Sequence, residues 1–302
     1  MDSFAPKEME ENSRTSKLID AALISNSVIL QLDNGPQLWK YFPTPLYKKL
    51  CRGQKFMEDI AVEMVNRKIG EMERGEVSEK VSLLQLYLNN RNLDVKDVIG
   101  MATDMLLAGI DTTTYSIAFA LYHLSNSDDA QKKMKQEADT LLSNSCDHIT
   151  PETLRNAVFT KAVIKESFRL NPISVGVGRV LKSDIVLSGY HIPSGTVAVT
   201  QNQVTCRLPE YFSDPNCFIP ERWLRDNNSN SDSRNVHPYL VLPFGHGPRS
   251  CIARRLAEQN MQILLLRIFQ KYHLKWRGGK LDSISLLINK PDSPIDIEFS
   301  PR

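Results

Sequence analysis

Apolar residues recur at helical spacing from Leu18 to Leu32, after a polar stretch of residues 1 to 17 that reads as loose. Residues 35–50, GPQLWKYFPTPLYKKL, carry Pro36, Pro43 and Pro45 among aromatics and read as a connector, because proline interrupts helices. Phe56, Ile60, Met64, Val65 and Ile69 mark an amphipathic helix with a charged outer face, ending near Gly75. Val81 to Leu88 is a short helical candidate. Asp94 and Asp97 have the spacing of a capping pair, and a largely apolar helix from Val95 to His123 follows. At ~1.5 Å per residue it spans roughly 40 Å. It is apolar on nearly all sides, which predicts a long, central, buried helix. Residues 128–142 form another charged amphipathic helix, Pro151 to Leu154 begin a short one, and Ala157 to Leu170 form a third.

After Pro172 the period changes. Val177 to Leu187, Tyr190 to Ile192 and Thr196 to Thr200 are short strand candidates, with turns at Ser188-Gly189 and Pro193-Ser194-Gly195. Residues 224–240 are rich in Asn, Ser and Asp and read as a long loop. Cys251 to Tyr272 reads as helix, and short strands follow from Leu281 around a turn at Pro291 to Pro294. The expected fold class is mainly α with small β-sheets.

Composition narrows the function. The 302 residues carry a formal net charge of +2, which excludes a strongly basic nucleic-acid binder on global charge. Apolar residues are 41% and charged residues 24%, enough to bury a large core. The five cysteines, Cys51, Cys146, Cys206, Cys217 and Cys251, are odd in number and contain no C-x-x-C pair, so a disulfide scaffold and a zinc ribbon are both poor readings. No apolar run approaches the ~18 residues of a membrane span. The opening residues contain Asp2, Glu8, Glu10 and Glu11, and no targeting segment is visible in them.

The strongest chemistry lies in PFGHGPRSCIARRLAE, residues 243–258. Gly245 and Gly247 permit backbone conformations closed to other residues and a close approach to a flat ligand. Arg249 offers a guanidinium suited to a carboxylate. Cys251 sits just before a helix, where the positive end of the dipole favours a thiolate, a good soft metal ligand. Taken in register, Phe244, Gly245, Gly247, Arg249 and Cys251 resemble the F-G-x-G-x-R-x-C-x-G loop of the cytochrome P-450 family of haem-thiolate monooxygenases. The match departs once, at Ala253, where the family usually has glycine and where helix and haem pack closely. The resemblance implies haem b (iron protoporphyrin IX) as cofactor, with Cys251 as the axial ligand of its iron.

Other segments extend the resemblance in family order. Glu166 and Arg169, in KAVIKESFRLNP, stand one helical turn apart. With Arg222 of PERW, residues 220–223, they match a buried structural ion network behind the haem loop. Ala108 to Thr113, AGIDTT, places poor helix formers in mid-helix. A threonine hydroxyl bonding back to the i−4 carbonyl can bend a helix. The resemblance implies that Asp111 and Thr112 relay protons there. It also implies that Arg179, in ISVGVGRVL, pairs with a haem propionate as Arg249 does, and that Ile173 to Gly178 and Ser283 to Leu286 line the substrate pocket. Lys161, Lys165, Arg254 and Arg255 match a basic face that docks an acidic, adrenodoxin-like ferredoxin in the mitochondrial branch.

LWKYFPTPLYKKL and CIARRLAE also resemble that branch. Within it, the chain is similar to arthropod steroid 22-hydroxylases acting on ecdysteroid precursors. The resemblance therefore implies dioxygen and an apolar, sterol-like substrate, with peripheral membrane association and a mitochondrial place on the matrix side of the inner membrane. It covers residues 18–302, read as the C-terminal part of a single cytochrome P-450 domain. The alternative is a truncated, catalytically silent fragment that binds haem or a partner. A haem-thiolate isomerase is a weaker third reading, disfavoured by the intact Asp111-Thr112 pair.

Overall fold

A computed structural model describes residues 13–76, 81–142, 144, 148–224 and 236–302. Cys146, the opening stretch up to residue 12 and most of the loop expected at 224–240 lie outside the described residues. The chain divides into two compact units, one running to Thr112 and one from Thr113.

The first unit is helical. Helix α1 spans Arg14–Asn34, with the Ser13 side chain accepting from the Ser16 N–H at its start. Helix α2 spans Pro45–Glu73 and is capped by Thr44, which accepts from the Tyr47 N–H. The expected connector therefore ends at Thr44, not at Leu50. Pro45 sits in the first turn of the helix, where an N–H has no intrahelical partner to lose. Of the rest of the connector, Leu38–Lys40 form a 3-10 turn. The two helices approach closely at Gly53: a Cβ there would lie 2.9 Å from Ser25 Oγ and 3.3 Å from the Ala21 carbonyl oxygen. Ala21, Ala22 and Met57 form the buried contact, with Leu107 and Ile110 packed against it. Helix α3 spans Leu83–Leu88.

Helix α4 spans Val95–Ser125. Its start carries the reciprocal bonds read from the sequence: the Asp97 N–H donates to Asp94 Oδ1 at 2.8 Å and the Asp94 N–H to Asp97 Oδ2 at 3.0 Å. The expected burial on all sides is not observed. Val98, Thr103 and Asp111 are buried, whereas Gly100, Asp104, Ala108 and Gly109 are exposed. Apolar composition sets what a helix can bury, and the elements packed on each face set what it does bury.

The second unit holds the larger core. Its other helices are α5 (Asp128–Leu141), α6 (Pro151–Asn156), α7 (Val158–Leu170), α8 (Asn202–Thr205) and α9 (Arg254–Lys271). Phe119, Met134, Val163, Met261, Leu265 and Phe269 meet in one buried cluster. Each such side chain contributes roughly 1.5–3 kcal/mol of transfer free energy. Among the described residues, four antiparallel two-stranded sheets accompany the helices. Strand β1 (Gly178–Val180) pairs with β4 (Val197–Val199), and β2 (Ile185–Leu187) with β3 (Tyr190–Ile192). Strand β5 (Tyr272–Trp276) pairs with β8 (Ile297–Pro301), and β6 (Ser283–Ser285) with β7 (Asn289–Pro291). The sequence pattern misses α8 and β5. It also runs the last helix from Cys251 to Tyr272, three residues too early and one too late. Gln131 supports β5 from the side opposite β8: its Nε2–H donates to the Leu274 carbonyl and its Oε1 accepts the Leu274 N–H, both at 2.9 Å.

His123, near the end of α4, is stacked on Phe218 at 4.9 Å with a ring angle of 8°. Its Nε2 lies 2.7 Å from Asn171 Oδ1. Burial holds its pKa down to about 4, against the pull of Asn171 and Glu166 in the other direction. The unfolded chain, with an ordinary imidazole near 6.5, therefore takes up a proton at a pH where the folded chain does not. Stability is expected to fall as pH drops from about 6.5 to about 4, by up to about 3 kcal/mol for this one group. Denaturant midpoints across that range should show this slope, and His123→Gln should flatten it.

Candidate functional site

The cysteine loop is closed by its own backbone. The Cys251 N–H donates to the Phe244 carbonyl at 2.9 Å, the Ser250 N–H to Gly247 at 3.0 Å, and the Gly245 N–H to Leu242 at 3.1 Å. Gly245 has φ +70° and Gly247 φ +80°. A Cβ on Gly245 would meet its nearest neighbours at an ordinary 3.9 Å, so conformation rather than room requires glycine there. Phe244 anchors the loop, packing edge-on against Phe168 of α7 at 5.3 Å. The Arg254 guanidinium lies over the Phe244 ring, 5.4 Å from its centre. Gly247–Arg249 form a 3-10 turn, so Arg249 stands at the exposed rim.

Cys251 is a free, exposed thiol two residues before Ala253, the N-cap of α9. Ala253 makes no side-chain cap, and the Arg254 N–H at the start of α9 donates to the Cys251 carbonyl at 3.5 Å. Arg179 reaches the loop from β1: its Nη2–H donates to the His246 carbonyl at 3.3 Å. Beside it, Val180 is directly opposite Val197. Val180, Val197, Val199 and Ile252 are between 52% and 78% exposed, an unusual apolar content for strand and loop surface.

Behind the loop, Glu166, Arg169 and Arg222 do come together, at 0%, 0% and 4% exposure. Arg169 Nε donates to Glu166 Oε2 at 2.9 Å and its Nη2 to Oε1 at 2.8 Å. The remaining Arg169 protons go to the carbonyls of Cys206, Pro215 and Cys217, at 2.8, 2.6 and 3.0 Å. All five guanidinium donors are therefore used. Glu166 also accepts from Arg222 Nε at 3.2 Å, the Ile219 N–H at 3.0 Å and Trp223 Nε1 at 2.9 Å. The i, i+3 spacing marks the first pair; nothing local marks the three carbonyls.

The basic residues are only partly a common face. Lys161, Lys165, Phe168, Trp223, Phe244 and Arg254 border one cleft of about 730 Å³. Lys165 Nζ sits 4.1 Å over the Trp223 ring. Burial, and secondarily the Arg254 charge, lower its pKa. Lys161 Nζ donates to the Arg155 carbonyl at 2.7 Å, and Arg254 pairs with Glu258 at 3.0 Å. Arg255 is exposed on α9.

Asp111 and Thr112 belong to the unit that ends at Thr112, the loop to the unit that begins at Thr113. The Thr112 hydroxyl donates to the Ala108 carbonyl at 2.6 Å, the i−4 bond that loosens a helix. Asp111 is 3% exposed and accepts from Asn26 Nδ2 at 2.7 Å. Burial raises its pKa and the Asn26 bond opposes that rise. Asn26 has no signal in the sequence, being 85 residues away. Asn289 is another such residue. It is fully buried, its N–H donates to the Ile173 carbonyl and its Nδ2–H to the Pro172 carbonyl, both at 2.8 Å. The Ser285 hydroxyl donates to its Oδ1 at 2.7 Å. It thereby ties the expected pocket segment at 173–178 to that at 283–286.

Comparison with known proteins places the chain. The profile described as Cytochrome P450 matches residues 2–299. A Drosophila melanogaster relative named cytochrome P450 302a1, mitochondrial, is 47% identical over 305 residues, which is 100% of this chain and 60% of the relative. Probable cytochrome P450 12a5, mitochondrial, of the same fly is 31% identical, covering 97% of this chain and 57% of that one. Cytochrome P450 10 of Lymnaea stagnalis is 33% identical, covering 87% and 48%. A crystal structure of a cytochrome P450, CYP102L1, superposes with a TM-score of 0.79 at 22% identity, covering 94% of this chain and 64% of that one.

The fold is that of a haem-binding cytochrome. The chain belongs to the cytochrome P450 family. It spans roughly half to three-fifths of the length of the curated relatives it matches. Haem b is the family's cofactor, and the second unit fits it. An exposed soft thiol, neighbouring exposed valines and isoleucine, and two rim guanidiniums are the donors and apolar surface that a flat macrocycle with two carboxylates requires. Among the described residues no group of three or more His, Cys, Asp or Glu forms a separate metal site. Among them, too, no helix is long and apolar enough to cross a membrane.

Proposed function

We propose that the chain carries the working centre of a haem-thiolate monooxygenase, and that residues 18–302 form the C-terminal part of one such domain. One oxygen atom of dioxygen enters a C–H bond of an apolar substrate and the other leaves as water, consuming two electrons and two protons. Haem, when bound, supplies the oxygen activation, which a thiolate ligand favours by pushing electron density onto the iron. Cys251 supplies that thiolate. Arg179 and Arg249 hold the macrocycle's carboxylates, Phe244 and Gly245 shape the wall behind it, and Ala253 leaves clearance where a larger residue would not. Glu166, Arg169 and Arg222 keep the loop's support rigid. Asp111 and Thr112 hold and pass the protons. The observation that carries the reading is the backbone-closed loop that presents Cys251 as an exposed thiol before α9.

The test is the carbon monoxide difference spectrum of the reduced, haem-loaded chain. A strongly red-shifted Soret band is expected, and its absence would overturn the assignment of Cys251.

A sterol-like substrate of the ecdysteroid-precursor kind is the finer proposal. Its support is the resemblance of the chain's wording to arthropod steroid hydroxylases, and the 47% identity to a mitochondrial fly P450 is consistent with it. A matrix-side, inner-membrane location belongs to the same proposal. So does peripheral membrane contact, for which Leu38, Tyr41 and Phe42, 45–84% exposed, are suited.

An adrenodoxin-like ferredoxin is the proposed electron donor, meeting Lys161, Lys165, Arg254 and Arg255. The double change Lys161→Glu, Lys165→Glu is expected to slow reduction by such a ferredoxin about tenfold or more at low salt. Stopped-flow rates should converge with wild type as salt rises. Equal rates at low salt would remove these lysines from the docking face.

A further inference from the structure

Asp111 is a nearly inaccessible carboxyl on a helix, and among the described residues no cation pairs with it. A buried carboxylate normally recruits an arginine or lysine, which locks it in the ionised form. Here its partner is a neutral amide on a different helix, α1, at 2.7 Å. Asn26 follows the buried Ser25, whose hydroxyl is spent on the Ala21 carbonyl at 2.7 Å, at the stretch where α1 packs on Leu107 and Ile110. The backbone carrying Asn26 is thus held in place by the same apolar contact that holds α4 beside it.

We infer that Asn26 is the positioning residue for Asp111 and holds its carboxyl in one place in both protonation states. An amide is suited to this in a way that a cation is not. With Asp111 ionised, Asn26 donates an N–H to it, a charge-assisted bond. With Asp111 protonated, half a turn about the last side-chain bond presents Oδ1 to accept the carboxylic O–H. Lysine and arginine have no acceptor and can serve only the ionised form. A carboxyl that gains and loses a proton in each cycle needs a partner that fits both forms; otherwise it is left unpaired and buried once per turnover. The role rests on the proton-relay reading of Asp111, and the direction of the forces agrees with it: burial favours the protonated carboxyl and Asn26 the ionised one.

The experiment is ¹³C NMR of the full chain labelled at aspartate Cγ, with Asp111→Asn to assign the resonance, in wild type, Asn26→Leu and Asn26→Lys. A leucine side chain cannot stabilise the carboxylate, so in Asn26→Leu the Asp111 carboxyl is expected to bind its proton about tenfold more tightly. Asn26→Lys is expected to shift the titration the other way. Opposite shifts from two substitutions at one position are not what a packing role produces. An unchanged Asp111 titration in folded samples of both variants overturns the inference. If Asn26→Leu fails to fold, Asn26→Ala takes its place with the same upward shift expected, since a lysine lowers the titration by its charge alone. The pH profile of product formed per electron consumed, with a ferredoxin, should move with the titration. Coupled titrations in a chain that gives no carbon monoxide band would leave the Asn26 contact standing and sink the monooxygenase reading. A normal band with uncoupled titrations would do the reverse.

Discussion

Replacing Cys251 with alanine is expected to abolish the red-shifted carbon monoxide band completely while leaving the chain folded. The loop does not need this side chain to close: the Cys251–Phe244 bond is made by the backbone N–H and carbonyl. The sulfur is exposed, so its loss removes little buried surface and should change stability by less than about 0.5 kcal/mol. No other described thiol substitutes. Cys206 is buried against the Leu240 carbonyl, and burial pushes its pKa up to about 11, so it remains a thiol. Cys51 and Cys217 are exposed but stand outside the loop. Retention of the band in the variant would sink the assignment; a band lost together with helical circular dichroism would point to unfolding instead.

The second large effect is on stability. Arg169→Lys should cost about 3–5 kcal/mol, although it conserves the charge. The guanidinium places five donors in a fixed fork on one carboxylate and three carbonyls. An ammonium has three donors and no fork, so at least two of these five bonds would be lost around a side chain that is itself 0% exposed. Glu166 would then face Arg222 and Trp223 without its bidentate partner. Urea midpoints would report the loss. A change below about 1 kcal/mol would mean that water fills the site and that the network is looser than its geometry.

Local features are the legible ones. The loop residues are contiguous, so their register alone points to Cys251 as the candidate thiol, and periodicity locates α1, α2, α4, α5 and α7. Pro45 misleads because proline breaks a helix only in its interior, and a cap such as Thr44 is recognised only once the helix start is known. Strand β5 escapes the pattern because no Gly or Pro separates it from α9; its conformation is set by pairing with β8, a partner distant in sequence. The burial of α4 is overestimated because composition does not say which faces are covered. Asn26, Asn289 and the carbonyls around Arg169 act at long sequence separation through polar contacts, for which no periodicity exists. The candidate loop and the ionic members of its supporting network are therefore suggested by sequence, and the neutral partners Asn26, Asn289 and the backbone carbonyls are not.

The two bonds between Gln131 and Leu274 have a consequence for how the chain behaves while folding. A two-stranded ribbon has two open edges, each able to template another chain. On β5 a single side-chain amide occupies the donor and the acceptor of Leu274, the middle of the edge that a third strand would use. The amide comes from α5, packed in the same unit as the strand's own helix α9. The amide can block this edge only when α5 has docked. Self-association through β5 should thus be a hazard of the partly assembled chain and not of the native one, and Gln131→Leu should reveal it as aggregation during refolding at protein concentrations the wild type tolerates.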